Sequence, residues 1–180
     1  MIRFSLKTLL RCGLPMVLPT GIAGALEYPA GQPQIAAGME VAAVYLQPIE
    51  MDPPGMMRDA AESDIHLEAD IHAMAENADG FADGEWVPHL EIAYELTGPN
   101  GDKAQGPLMP MVASDGPHYG DNVKLFGPGR YQLKFIVAPP GPASHFGRHV
   151  DRETGVGSWF EAFTVEYEFV FAGTGKKGAY

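Results

Sequence analysis

Strict alternation of apolar and polar residues is the feature of this chain that most limits its fold. It is clearest in residues 63–72, "SDIHLEADIH", where every second position is apolar: Ile65, Leu67, Ala69 and Ile71. The positions between them carry ionisable side chains: His66, Glu68, Asp70 and His72. Because successive side chains of a β-strand point to opposite faces, the segment is predicted to be a strand with one apolar face and one face of imidazoles and carboxylates.

Other segments show the same alternating or apolar character and are also predicted to be strands. They are residues 39–48, 89–98, 106–114, 130–140 and 163–171. The intervening segments, such as "SDGPHYGD" (114–121) and "APPGPASHFGRH" (138–149), are rich in Gly, Pro, Asn and Asp and are predicted to be turns and loops. No helix-length periodic segment stands out. The pattern therefore predicts an all-β fold, an immunoglobulin-like β-sandwich of about seven or more strands.

The first residues are typical of a secretory signal peptide. Arg3, Lys7 and Arg11 precede an apolar run, which ends at a small-x-small sequence around Ala25. Residues 1–25 are therefore predicted to be removed on secretion, which leaves residues 26–180 as one β-sandwich domain; an uncleaved membrane anchor is the alternative. Cys12 is the one cysteine, so the mature protein would have neither a disulfide nor a thiolate ligand.

The charge of the chain limits its partners. Removing the three basic residues of the signal region takes the formal net charge from −11 to −14. Such a surface repels nucleic acid and anionic lipid, because Lys and Arg drive binding to phosphate, and it suits cations or a basic partner. Ordinary solubilising charge is the alternative explanation.

The polar face of the first strand is a candidate metal site. Residues two apart on a strand have Cα atoms roughly 6.5 to 7 Å apart, so His66 and Glu68 can converge on one ion. Imidazole suits copper, zinc and iron, and carboxylate adds a harder oxygen donor, so the pair alone does not select the ion. A solvated strand face explains the same residues without any metal.

Three further segments supply possible ligands. Met109 and Met111 share a strand parity, and His118 follows them; thioether sulfur is a soft donor that favours Cu(I). Core packing explains a methionine equally well, and it is the preferred reading for Met109. The loop "EMDPPGMM" contributes Met51, Met56 and Met57, and the loop "SHFGRH" contributes His145 and His149. Exposed loop side chains without a role are the alternative for both loops.

Four strings of the sequence carry a family resemblance: "YLQPIEMDPPGM", "ESDIHLEADIHA", "PLMPMVASDGPHYGDNVKL" and "FGRHVDRETGVGSWFEAFTVEYEF". Together they resemble the bacterial periplasmic metal-binding proteins that accompany a high-affinity iron permease. The resemblance implies a homodimeric immunoglobulin-like sandwich with copper sites near the subunit interface. The ligands that it implies are His66, Glu68, Met111, His118 and His149, and it suggests Met51, on either subunit, as a further candidate. It gives no role to His89 or His145.

The leading hypothesis is a periplasmic protein that binds copper and takes part in high-affinity iron uptake, handing iron to an inner-membrane permease. Oxygen donors favour iron, so a second, iron site is expected among the carboxylates of Glu62, Asp64 and Asp70. A copper-dependent ferrous iron oxidase and a copper-storage or resistance protein are the alternatives. The oxidase would be an enzyme, but the chain shows no hydrolytic triad or Cys-His copper cluster. A structural domain that docks a protein partner is the third possibility.

Overall fold

The computed structural model describes residues 27–175, and this part of the chain forms nine β-strands. They are β1 (Tyr28–Pro29), β2 (Gln34–Ala36), β3 (Met39–Leu46), β4 (Ile65–Ala73), β5 (Glu91–Thr97), β6 (Lys103–Ala113), β7 (Gly116–Val123), β8 (Gly129–Ala138) and β9 (Phe163–Phe171). Two short 3-10 helices cover Ala60–Glu62 and Pro142–Ser144. No helix within residues 27–175 is long and apolar enough to cross a membrane. The predicted signal peptide and its cleavage site lie outside the described residues.

The strands pair in the order β1-β3-β4-β7-β6-β5-β8-β9, with β2 also on β3, and every pair is antiparallel. Strand β6 joins the two halves of this arrangement. Its first part, residues 103–108, pairs with β5, and its second part, residues 109–113, pairs with β7. The sheet therefore folds over at β6 into two packed layers. This architecture confirms the prediction of an all-β sandwich.

Alternating apolar residues of both layers form the core between them. In β4 the apolar residues predicted to face inward are all buried, and β9 alternates buried aromatic or aliphatic residues with exposed ones. Burying a side chain of this size stabilises the fold by roughly 1.5–3 kcal/mol. One polar group of the core is satisfied across the layers, since the Tyr167 hydroxyl donates to the Val41 carbonyl at 2.7 Å. This hydrogen bond joins β3 of one layer to β9 of the other.

One local prediction is wrong. Residues 114–121 were expected to form a loop, but Gly116–Val123 is strand β7, inserted between β4 and β6. Proline suits this strand because β4 pairs with β7 only from Tyr119 onwards, which leaves one edge of the strand free at Pro117. His118 therefore lies on a rigid strand rather than in a turn.

Candidate metal centre

The polar faces of three neighbouring strands meet at one place in the fold. In the register of the sheet, His66 of β4 lies opposite Asn122 of β7, and Glu68 lies opposite Gly120. On the other side of β7, Met111 of β6 lies opposite His118. Residues directly opposite on adjacent strands share a face of the sheet, so these side chains are held together by backbone pairing alone.

Two imidazoles and one carboxylate form the centre of this face. Glu68 Oε1 lies 3.3 Å from His118 Nε2 and 3.6 Å from His66 Nε2. The three side chains offer ligand atoms that lie within 4.8 Å of one another, and all three residues are buried. Donor atoms bound to one transition-metal ion at about 2.0–2.2 Å are separated by at most about 4.4 Å, so the spacing fits such an ion with only a small adjustment.

The ring of His66 is closely surrounded. Its Nδ1 lies 3.0 Å from Asn122 Oδ1, and its Nε2 is completely buried with no hydrogen-bond partner. A Cβ at position 120 would lie only 2.5 Å from this Nε2, so the absence of a side chain at Gly120 makes room for the imidazole. Buried nitrogen atoms rarely lack a partner, and such an atom aimed at a carboxylate and a second histidine is where a metal ion fits.

Burial changes the protonation of all three groups. Desolvation lowers the pKa of His66 to about 4, although the Asn122 hydrogen bond partly opposes this effect. Desolvation also lowers the pKa of His118. Burial, reinforced by the nearby carboxylates of Asp70, Glu27 and Asp115, raises the pKa of Glu68 to about 8. Burial therefore favours the neutral forms of both imidazoles and of the carboxyl in the metal-free group, and a bound cation would compete with the carboxyl proton.

A cavity of about 240 Å³ opens from this group towards the surface. Its ionisable lining residues are Glu27, Glu68, Asp70, His72, Asp115 and His118. Four of the six are carboxylic acids, and two of the six, Glu68 and His118, also belong to the buried group. Close carboxylates raise the local concentration of cations. The cavity is a negatively lined entrance to the candidate metal centre.

The sequence-predicted residues divide into two sets. His66, Glu68 and His118 form the buried group, and Met111 lies beside His118 on the same face of the sheet. His149 lies outside this group on an exposed loop, where Nδ1 is 2.8 Å from Thr154 Oγ1. Met51 lines a different cavity together with Met57, on the loop before β4.

The carboxylates expected to hold iron do not lie together in the fold. Asp64 accepts hydrogen bonds from the Lys124 ammonium at 2.9 Å and from the Leu125 amide at 2.8 Å, so its carboxylate is engaged at the start of β4. Asp70 is six residues further along, a distance of roughly 20 Å in a strand. Only Asp70 lines the acidic cavity, where its neighbours are Glu27 and Asp115.

Sequence reasoning missed four contributors: Glu27, Asp115, Gly120 and Asn122. The last two share a signal, because His118, Gly120 and Asn122 alternate in "HYGDN" just as His66 and Glu68 do in β4. The Gly-Pro sequence hid that alternation. Glu27 and Asp115 come from a distant segment and a hairpin turn, so no local pattern indicates them.

Fold and site together define the class: a β-sandwich protein with a buried set of imidazole and carboxylate donors below an acidic cavity. Residues 24–173 match the family model described as "Fe2+ transport protein". The chain belongs to this family. A UPF0423 protein of Brucella abortus is 65% identical over 161 residues, 88% of each chain. The 34 kDa membrane antigen of Treponema pallidum is 39% identical over 154 residues, 82% of this chain and 75% of that one.

Two similar proteins have crystal structures. Copper-reconstituted P19 of Campylobacter jejuni has 54% sequence identity and a TM-score of 0.80, over 83% of this chain and 99% of that one. FetP of a uropathogenic Escherichia coli strain, crystallised after expression in the periplasm, has 52% identity and a TM-score of 0.79, with the same coverage. These findings confirm the family resemblance drawn from the four sequence motifs.

Proposed function

We propose that this chain is a periplasmic protein that binds copper at His66, Glu68, Met111 and His118 and takes part in iron uptake. The observation that carries the proposal is the Nε2 atom of His66, which is buried and has no hydrogen-bond partner. The Glu68 carboxylate lies 3.6 Å from this atom and 3.3 Å from His118 Nε2. The family and the copper-bound structure of P19 support the choice of ion.

The donor types suit copper in both oxidation states. Two neutral imidazoles and a carboxylate favour Cu(II), and the thioether of Met111 favours Cu(I). Bound copper would supply one-electron redox chemistry. The chain's own contribution is to hold the imidazoles neutral through burial, to release the Glu68 proton, and to keep bulk water away from the group.

His149 completes the proposed site from a second copy of the chain. Its side chain is 74% exposed, and it lies on a loop that the structure holds in place through Thr154 and Asp151. An exposed, oriented imidazole is available to another subunit, and its own chain does not bring it to the buried group. A homodimer with two such sites accounts for both observations, and Met51 is a further candidate for a ligand that crosses between the subunits.

The acidic cavity is the proposed position of iron. Asp70, Glu27 and Asp115 supply the oxygen donors that iron favours, next to the copper ligands Glu68 and His118. From this cavity the iron would pass to an inner-membrane permease. Glu62 and Asp64 are left out of the proposed iron site, because neither residue lines this cavity. Asp64 is also bonded to Lys124 at the far end of β4.

The shared lining of the two sites also favours a second function, oxidation of ferrous iron by copper before transport. Oxygen consumption that depends on ferrous iron would support this enzyme. Copper-loaded protein that binds iron without consuming oxygen would contradict it.

Copper titration of metal-free protein tests the main proposal. We expect one tight equivalent per chain, and we expect His118→Ala to lose it. His145→Asn is the matched control, because it replaces an exposed histidine with a residue that tolerates the positive φ of 54° at this position. Equal copper binding by wild type and His118→Ala would contradict the proposal.

A further inference from the structure

A single buried amide joins the candidate metal centre to a distant loop. Asn122 of β7 is 2% exposed and has four polar contacts, which use all of its hydrogen-bonding groups. Oδ1 accepts from the Ile49 amide at 3.1 Å and faces His66 Nδ1 at 3.0 Å. Nδ2 donates to the Ile49 carbonyl at 2.8 Å and to the Arg58 carbonyl at 2.9 Å.

The backbone contacts fix which way this amide points. A carbonyl can only accept a hydrogen bond, so the atom that faces the Ile49 and Arg58 carbonyls must be Nδ2. The Ile49 amide can only donate, so the atom that faces it must be Oδ1. The same Oδ1 faces the His66 ring, and an oxygen without hydrogen can only accept. The proton of the neutral imidazole is therefore on Nδ1.

A neutral imidazole with its proton on Nδ1 carries its lone pair on Nε2. This is the atom that faces Glu68 Oε1, and Gly120 leaves space around it. We propose that Asn122 is a positioning residue of the metal centre: it holds His66 as the Nδ1–H tautomer, so that the Nε2 lone pair is aimed at the ion before the ion arrives. This inference rests on the proposed function for the identity of the ion, but the tautomer is a property of the metal-free chain.

The amide also ties the ring to the methionine loop, which we define as residues 47–59. Ile49 and Arg58 lie near the two ends of this loop, and Asn122 bonds to the backbone of both. Met51 and Met57 line one cavity between them. The orientation of His66 and the closure of the methionine loop therefore depend on the same side chain.

The first experiment needs no variant. Metal-free protein labelled with ¹⁵N at histidine is observed by long-range ¹H–¹⁵N correlation, which separates protonated from unprotonated ring nitrogens. We expect the signals of His66 to show a protonated Nδ1 and an unprotonated Nε2. A protonated Nε2 with an unprotonated Nδ1 would overturn the proposal, whether or not the protein binds copper.

Two variants separate the two roles of the amide. Asn122→Asp keeps an acceptor for His66 Nδ1–H but loses the donor to the Ile49 and Arg58 carbonyls, so we expect the tautomer to persist while amide exchange in the methionine loop accelerates. Asn122→Ala removes both contacts, so we expect a mixed tautomer and copper affinity reduced by about 10–100-fold, as is typical when the partner of a ligand imidazole is removed.

The outcomes distinguish this inference from the proposed function. A folded Asn122→Ala variant with wild-type copper affinity would overturn the positioning role. Wild-type protein that shows the expected tautomer but binds no copper would contradict the proposed function while supporting the orientation of His66 by Asn122. If Asn122→Ala does not fold, the positioning role is tested by the His66 tautomer in the wild-type protein and in the Asn122→Asp variant.

Discussion

Two histidines of this protein occupy opposite environments. His66 is completely buried on β4, with Nδ1 bonded to Asn122 and Nε2 facing Glu68. His149 lies on the loop between β8 and β9, with its side chain 74% exposed and its Nδ1 close to Thr154. The sheet positions the imidazole of His66 to bind a metal ion. The imidazole of His149 is also oriented, but it faces solvent. The proposed metal site would thus combine a rigid interior part with an accessible surface part.

The two regions also differ in their energetic cost. Burying polar groups without full compensation destabilises a fold, and the group of His66, Glu68 and His118 is buried with one nitrogen unpartnered. The loop of His149 carries no such cost, because water solvates its side chain. A cation bound by the buried group would give the unpartnered nitrogen a partner and so remove this desolvation cost. We therefore expect metal to stabilise the fold by mass action.

Removing a buried ligand should have the largest effect. We expect His66→Ala to weaken copper binding by at least about 100-fold, since a ligand loss should exceed the 10–100-fold effect of losing a supporting contact. His149→Ala should weaken binding less, because the buried donors remain. Competition with a chromophoric copper chelator measures both affinities. Equal losses for the two variants would break the proposed division of the site.

The second prediction concerns the space around His66. Gly120→Ala places a Cβ 2.5 Å from His66 Nε2, which should cost about 1–3 kcal/mol of unfolding free energy through overpacking and should also weaken copper binding. Gly147→Ala is the matched control in the His149 loop, where an added Cβ meets no atom within 4 Å. Chemical denaturation of the metal-free proteins measures the difference. A Gly120→Ala variant as stable as the control would contradict the close packing of this ring.

The third prediction concerns the pH dependence of stability that arises from Glu68 and His66. The pKa of Glu68 is raised from 4.5 to about 8, so the folded state binds more protons than the unfolded state and the contribution of this group is lost as pH rises through 8. The pKa of His66 is lowered from 6.5 to about 4, so its contribution is lost as pH falls below 6.5.

Between pH 6.5 and 8, Glu68 is therefore the main one of these two groups that changes the free energy of unfolding with pH. Over this range the metal-free protein should lose stability with a slope of up to about 1.4 kcal/mol per pH unit, and Glu68→Gln should flatten that slope. His149→Ala, which leaves the buried group intact, should keep it. Thermal or denaturant unfolding at several pH values tests this, and an unchanged slope in Glu68→Gln would count against a protonated carboxyl.

The smallest effect is expected at the acidic entrance. Asp115→Asn removes one of several carboxylates around the cavity, so iron affinity of the copper-loaded protein should fall about tenfold or less, which corresponds to at most about 1.4 kcal/mol. Copper affinity should change little. Iron titration followed by calorimetry measures the first quantity. Iron binding that is independent of Asp115 would remove the cavity as the iron position.

The sequence predicts the fold well because alternation is a local property. The apolar residues of β4 and β9 are buried as their period of two predicts, and the β-sandwich follows from these strands and their turns. Strand β7 was missed because Gly116 and Pro117 are typical turn residues, and their strand conformation depends on pairing with β6, which is remote information.

The candidate site was predictable in part for the same reason. His66 and Glu68 lie two apart on one strand, so their proximity is local, and the family motifs indicate His118 and Met111. Asn122 and Gly120 lie opposite His66 and Glu68 only because β4 pairs with β7. These strands are about 55 residues apart in the chain, and no short sequence pattern encodes their pairing.

Anomalous diffraction at the copper edge from copper-loaded crystals tests the central claim most directly. The account predicts a copper peak within bonding distance of His66 Nε2, Glu68 and His118 Nε2, with His149 of a second copy approaching from the other side. A copper peak at His149 and Asp151 of one chain, with no peak at the buried group, would contradict it.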